Sequence, residues 1–316
     1  MRKTILMTTI LLVFATQLAG CTIIRYVDRP EPEPPGPPPP PKEVDVLVLV
    51  ELDRTTVSLA EGYQGILTSL TTGLAANNII PRKLALAPMY RRSGEAVPLI
   101  YGLGDPDPEF EDYASAIAFF ALDDGMRYLR DEVDADGENL ATLGLDLGTR
   151  AIYHPTLADT NATPYFTDKG DGFIVVQLTS KARACAYEEA SCRLDGVPAA
   201  EYFARESEGG ASWLSLAGDA SYSKDKIFFI NIATREGIDD EKFVQGCENK
   251  PGFNQSYLDF MEPSANSYYE PLADELNRRD VWSQYVDICE AMSQVQSIPK
   301  FTSIGKDIAS QLGPGE

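Results

Sequence analysis

Thiols are the most reactive side chains in this chain, and their positions bound its chemistry. Cysteines stand at 21, 185, 192, 247 and 289, and no two form a C-x-x-C pair. The single histidine, His154, precedes Pro155 in a loop-like stretch. A zinc site needs several sulfur and imidazole ligands brought close together, so this pattern argues against zinc. It also leaves His154 as the one imidazole able to serve a Ser-His-Asp or Cys-His arrangement. No G-x-S-x-G motif accompanies it, and His154 reads as an ordinary surface residue. Cys185, Cys192, Cys247 and Cys289 make an even set, which in an exported chain reads as disulfides. Three connectivities are open, and local spacing favours Cys185–Cys192 and Cys247–Cys289.

The fifth cysteine stands apart. Arg2 and Lys3 precede an apolar run over residues 5–18, shorter than the ~20 residues that a membrane-spanning helix needs. Residues 1–20 therefore read as a removable targeting segment. The run ends in Leu18-Ala19-Gly20-Cys21: an aliphatic residue, two small residues, then a thiol. This resembles the lipobox of bacterial lipoproteins. The resemblance implies diacylation of Cys21 and a cleavage that leaves Cys21 as the new N-terminus. Several acyl chains on one residue anchor stably, where a single chain binds only marginally. Thr22 stands where inner-membrane retention commonly uses Asp, so the resemblance implies the outer membrane of a Gram-negative bacterium. Such an envelope compartment is oxidising.

After the anchor, residues 30–42 read PEPEPPGPPPPPK. Each proline fixes φ and removes an N–H donor, so the segment is expected as an extended polyproline II spacer. Residues 21–42 thus form a lipidated tether, residues 43–311 one large domain, and residues 312–316 a short tail. The formal charge of −21 repels nucleic acid and anionic headgroups, so no nucleic-acid partner is expected. The acidic clusters at 105–112 (DPDPEFED) and at Asp239-Asp240-Glu241 read as solvated loops or a weak calcium site.

The elements that must position these residues alternate. Residues 44–50 (VDVLVLV), 173–178 (FIVVQL) and 226–233 (KIFFINIA) are continuous apolar runs, the mark of buried strands. Residues 83–89 are a further strand candidate, as are 97–101. Helical spacing appears over 58–76, 113–129, 197–205, 269–279, 281–293 and 300–311. Apolar strands separated by helices imply an α/β domain: a mostly parallel, doubly wound, Rossmann-like sheet with helices on both faces. Ligands bind such sheets beyond the carboxyl ends of the strands. Neither a G-x-G-x-x-G nor a P-loop lysine follows the first strand, so nothing supports nucleotide binding.

The order of these segments resembles a von Willebrand factor A-type (vWA) domain, which opens with an apolar strand, a D-x-S-x-S loop and a long helix. Here the first strand runs into Asp53-Arg54-Thr55-Thr56-Val57-Ser58. Residues 173–178 and 226–233 take the places of the fourth and fifth strands. More narrowly, the cysteine-bearing loop, the IFFINIA strand and the late Ile288-Cys289 resemble vWA-like lipoproteins of predatory and social Gram-negative bacteria. The resemblance implies a metal-ion-dependent adhesion site, where a small hard cation is held by oxygen ligands. Asp53 matches its first position and Thr55 can replace its first serine. Val57 occupies the second serine position without an oxygen, and Gln177-Leu178-Thr179-Ser180 lacks the expected carboxylate. Thr149 is the one candidate for the middle threonine. The site is therefore expected to be degenerate, with no cofactor and neither Mg²⁺ nor Ca²⁺ bound. Asp53 also suits a helix N-terminus, through capping and the helix dipole.

These features point to a membrane-tethered, non-enzymatic, protein-binding lipoprotein of the cell envelope. An envelope hydrolase or a purely structural envelope lipoprotein are the alternatives. A hydrolase requires a nucleophile–base pair or convergent carboxylates, which spacing alone does not supply.

Overall fold

The structure, a computed structural model, describes residues 39–50, 56–88, 101–104, 110–116, 170–180, 224–234, 240–261, 269–278 and 280–313. All described elements belong to the compact unit Pro40–Glu316. In chain order they are β1 (Lys42–Val50), α1 (Thr56–Ala75), β2 (Ile79–Pro88), β3 (Tyr101–Gly102), β4 (Gly172–Leu178) and β5 (Ile227–Ala233). Then follow α2 (Asp240–Glu248), α3 (Tyr269–Arg278), β6 (Trp282–Asp287), α4 (Ile288–Ala291) and α5 (Ser297–Leu312). Two 3₁₀ turns, Lys224–Lys226 and Gln255–Phe260, join them.

The strands form one sheet in the order β3-β2-β1-β4-β5-β6. Five of them run parallel, and only the two-residue β3 is antiparallel, against β2. This is a doubly wound, Rossmann-like α/β fold. Every residue of β4 and β5 is buried, as is β1 from Val44 onward, which explains why these strands are apolar on both faces.

One face carries Val44, Val46, Val48 and Val50 of β1, Ile174 and Val176 of β4, and Phe228 and Ile230 of β5. These pack in a single cluster with α1 and α5. Helix α1 contains no proline and buries Leu59, Tyr63, Ile66, Leu70 and Leu74 at helical spacing. Helix α5 answers with Phe301, Ile304, Ile308 and Leu312, and its Pro299 falls in the first turn, where proline is tolerated. The opposite face presents Leu47, Leu49, Phe173, Val175 and Phe229, all fully buried. There α3 packs on β5 and β6 and buries Ala273 and Leu276.

Two expectations from sequence are corrected here. The strand expected at 83–89 begins at Ile79 instead and passes through Pro81. A register shift opposite Val44/Asp45 leaves Arg82 as an extra residue, so the proline sits at a bulge. That bulge turns Arg82 toward Asp45, with Nε to Oδ1 at 3.0 Å and Nη2 to Oδ2 at 2.7 Å. Second, the helix expected over 281–293 is β6 followed by the one-turn α4. Its aromatic and β-branched residues also fit helical spacing, and pairing with β5 decides the matter. Asp287 ends the strand, its Oδ1 accepting from the Cys289 N–H at 2.9 Å to cap α4. Of the strand expected over 97–101, Tyr101 belongs to β3 and 97–100 lie outside the described residues. Of the helix expected at 113–129, residues 113–116 are helical and the rest lies outside the described residues, as does 197–205. Helix α2 has no counterpart among the expectations: it buries only Phe243 and Cys247, too thin a stripe to register.

Helices α1 and α5 cross closely. A Cβ on Gly73 would collide with the main-chain carbonyl of Phe301, and one on Gly305 would lie 2.6 Å from the Gly73 oxygen. Asn77 Nδ2 donates to the carbonyls of both Gly73 and Thr302 at 2.9 Å, stitching the crossing together. Gly73→Ala is therefore expected to cost about 1–3 kcal/mol through overpacking. The check is a lower urea midpoint at unchanged m-value.

Candidate functional site

The strand order reverses between β1 and β4: β1 leads toward β2 on one side, β4 toward β5 on the other. The carboxyl ends of these two strands border the crevice where open α/β sheets take ligands. Val50 pairs with Leu178 and Leu178 with Ile232, so Thr179 and Ser180 continue β4 into this region. Both are buried, and the Thr179 N–H donates to the Ile232 carbonyl at 3.0 Å. At the end of β5, Thr234 is fully buried and its Oγ1 has no hydrogen-bond partner. Its carbonyl accepts from the Tyr285 hydroxyl at 3.2 Å.

Below these hydroxyls, two amides interrupt otherwise apolar strands. Gln177 of β4 and Asn231 of β5 are register partners and both fully buried. Asn231 Nδ2 donates to Ser283 Oγ at 3.4 Å, while its Oδ1 has no partner. Unpaired buried acceptors are costly, so these positions are not explained by packing alone. Among the described residues, the ends of β4 and β5 thus supply hydroxyls and amides and no carboxylate.

Asp53 and Thr55 belong to the connection 51–55 between Val50 and Thr56, outside the described residues. Val57 lies in the first turn of α1, and Ser58 beside it is exposed. Cys21, Thr149, His154, Cys185 and Cys192 also lie outside the described residues. Among the described residues no three His, Cys, Asp or Glu side chains are grouped to hold a metal ion.

Of the acidic cluster at 105–112, Asp112 is described. Its Oδ1 accepts from the Ser115 N–H at 2.7 Å. The Ser115 main-chain and side-chain bonds hold its carboxyl below the usual range, so it begins the short helix at 113–116 as a cap. Next to it, Tyr113 is buried edge-on against Tyr63. Burial pushes its phenol well above the ordinary value, and its hydroxyl has no partner. In the second cluster, Asp240 and exposed Glu241 open α2, where negative charge meets the positive end of the helix dipole.

Cys247 of α2 and Cys289 of α4 are joined by a disulfide, with Cα atoms 5.2 Å apart. Both are buried, and the bond ties α2 to the end of β6. Among the described residues no helix is long and apolar enough to cross a membrane.

No protein-family model and no curated protein matches the chain. The hydroxyls at 179, 180 and 234 were not singled out from sequence. The visible signal was Gln177 and Asn231, each a lone amide in an apolar run, whose register partnership only the sheet reveals. For the disulfide, Cys247→Ser/Cys289→Ser is expected to cost about 4 kcal/mol, from the loop closed by a separation of 42 residues. Guanidinium unfolding of the variant against the oxidised wild type measures it.

Proposed function

We propose that this chain is a lipid-anchored lipoprotein of the cell envelope, held at the outer membrane through Cys21, and that it binds a protein partner without catalysis. On this reading the domain is vWA-like with a degenerate adhesion site, and the switch-point crevice faces the partner. The observation that carries the reading is the polarity of β1. Its first residue, Lys42, follows the proline spacer directly, and its last, Val50, opens toward the crevice. A nine-residue strand separates these poles by about 30 Å. Asn78, in the left-handed region with φ of 58°, binds the chain at its entry: its side chain donates to the Pro40 carbonyl at 3.2 Å, and its carbonyl accepts from the Lys42 N–H at 2.9 Å. The chain therefore enters the domain at the pole opposite the crevice, which keeps the entry point itself clear of the proposed partner face.

Among the described residues, the neutral hydroxyls and amides at the ends of β4 and β5 support recognition over chemistry. Calorimetry is expected to detect no tight Mg²⁺ binding; tight binding that disappears in Asp53→Ala would replace the degenerate reading with a working site.

Photo-crosslinking in cells tests the partner face. A crosslinker at exposed Ser58, by the crevice, is expected to trap protein adducts, while one at exposed Ile80, by the tether, is not. Equal trapping at the two positions, or none at Ser58, would count against this function.

A further inference from the structure

Strand β6 forms a margin of the described sheet, pairing with β5 on one side. Alternate residues of a strand turn their N–H and C=O away from the neighbour, and at a margin these groups can recruit another chain. Ser283 is such a residue, because both its main-chain groups bond to a side chain of α3. The Ser283 N–H donates to Asn277 Oδ1 at 2.9 Å, and Asn277 Nδ2 donates to the Ser283 carbonyl at 2.7 Å. One primary amide thereby supplies both hydrogen bonds that a residue of an added strand would supply.

The local chain holds the amide there. Helix α3 ends with the Asp280 N–H bonded to the Asn277 carbonyl at 3.1 Å and the Val281 N–H to the Leu276 carbonyl at 3.0 Å. Asp280 has φ of 60°, and Leu276 and Val281 are both buried. This is the Schellman arrangement with its hydrophobic contact. It folds the last turn of α3 back so that Asn277 meets a residue six positions later. Asn277 itself is exposed, so filling the interior is not what the amide does. Its two bonds go to the main chain of a marginal strand.

We propose that Asn277 closes the β6 margin against strand addition, and that the partner it excludes is β6 of a second copy of this chain. Two copies of WSQYVD can meet antiparallel about a two-fold axis, each offering the same rung to the other. The strand is rich in aromatic and β-branched residues, and its one charged side chain is Asp287 at the end, so local repulsion is weak. The protein gains by staying single: pairing through β6 would consume copies in self-association.

Sedimentation of the full chain in one detergent, wild type against Asn277→Ala, reads this directly. The variant is expected to shift with concentration toward twice the wild-type protein mass. Adding Ser283→Pro to Asn277→Ala is expected to restore the wild-type profile. Proline removes the outward N–H, which takes no bond from the β5 ladder. Asn277→Asp keeps the shape and the acceptor but loses the donor, and is expected to shift partway; it decides the question should the alanine variant fail to fold. Wild-type mass in a folded Asn277→Ala, or in Asn277→Asp where the alanine variant is unfolded, overturns the proposal. So does association that Ser283→Pro does not reverse.

Discussion

Residues 44–50 of β1 are shut off from water on both faces, and most of the fold follows from that. Water cannot satisfy the main chain there, so both sides of the strand must be paired, and β2 and β4 do this. Both faces must also be covered: the α1–α5 pair covers one, and α3 packs on β5 and β6 further along the sheet. The single charged residue in the run, Asp45, needs a partner brought to it. The bulge after Pro81 delivers Arg82 in a two-point contact, with the carboxylate fully buried and Arg82 mostly so. Leaving one member of such a pair alone inside the protein costs far more than the pair contributes, so bulge, proline and ion pair form one unit.

What the sequence makes legible follows the same logic. Strands β1, β4 and β5 are continuous apolar runs because both faces are dry, and no other element reads that way. Helix α1 is legible from its uninterrupted spacing of large apolar residues. Strand β6 is not: Trp282, Tyr285, Val286 and Cys289 satisfy a helical period as well, and only the ladder to β5 selects the strand. Pro81 conceals the first half of β2, since a proline inside a strand is legible only once the bulge is known. The crevice can be placed from the α/β class alone. Its hydroxyls cannot, because Thr179-Ser180 and Thr234 look like any polar strand ending until register sets Leu178 beside Ile232 and bonds Thr179 to the Ile232 carbonyl.

Exposed acidic side chains and the buried polar groups of the central strands occupy different parts of the described domain. Among the described residues, the ends of β4 and β5 carry neutral hydroxyls and amides, whereas acidic side chains such as Glu241, Glu248, Asp259, Glu270 and Asp274 lie exposed on the outer helices and turns. A −21 chain stays dispersed through that outer layer. The Cys247–Cys289 bond and the Asn277 amide both act at the β6 end of the sheet, one fixing α2 to the strand's exit and the other fixing α3 to its flank. An outer strand gains from these two ties what β1 obtains from having neighbours on both sides.

The entry of the chain into β1 also has a mechanical meaning. Tension applied through the residues ahead of Lys42 reaches a strand flanked on both sides by parallel neighbours, along the direction of its axis. The two ladders are then loaded in shear, and their hydrogen bonds must yield together rather than one after another, as they would if an outer strand were peeled away. Rupture under load is set by the height of the unfolding barrier rather than by equilibrium stability. At the other end of the chain, α5 is fastened near the same pole, where the Lys226 ammonium donates to the Gln311 and Leu312 carbonyls at 3.2 and 3.0 Å. A pull there would lift one helix from the surface before straining the sheet. The chain is thus strong against force from its N-terminal side and weak against force from its C-terminal side.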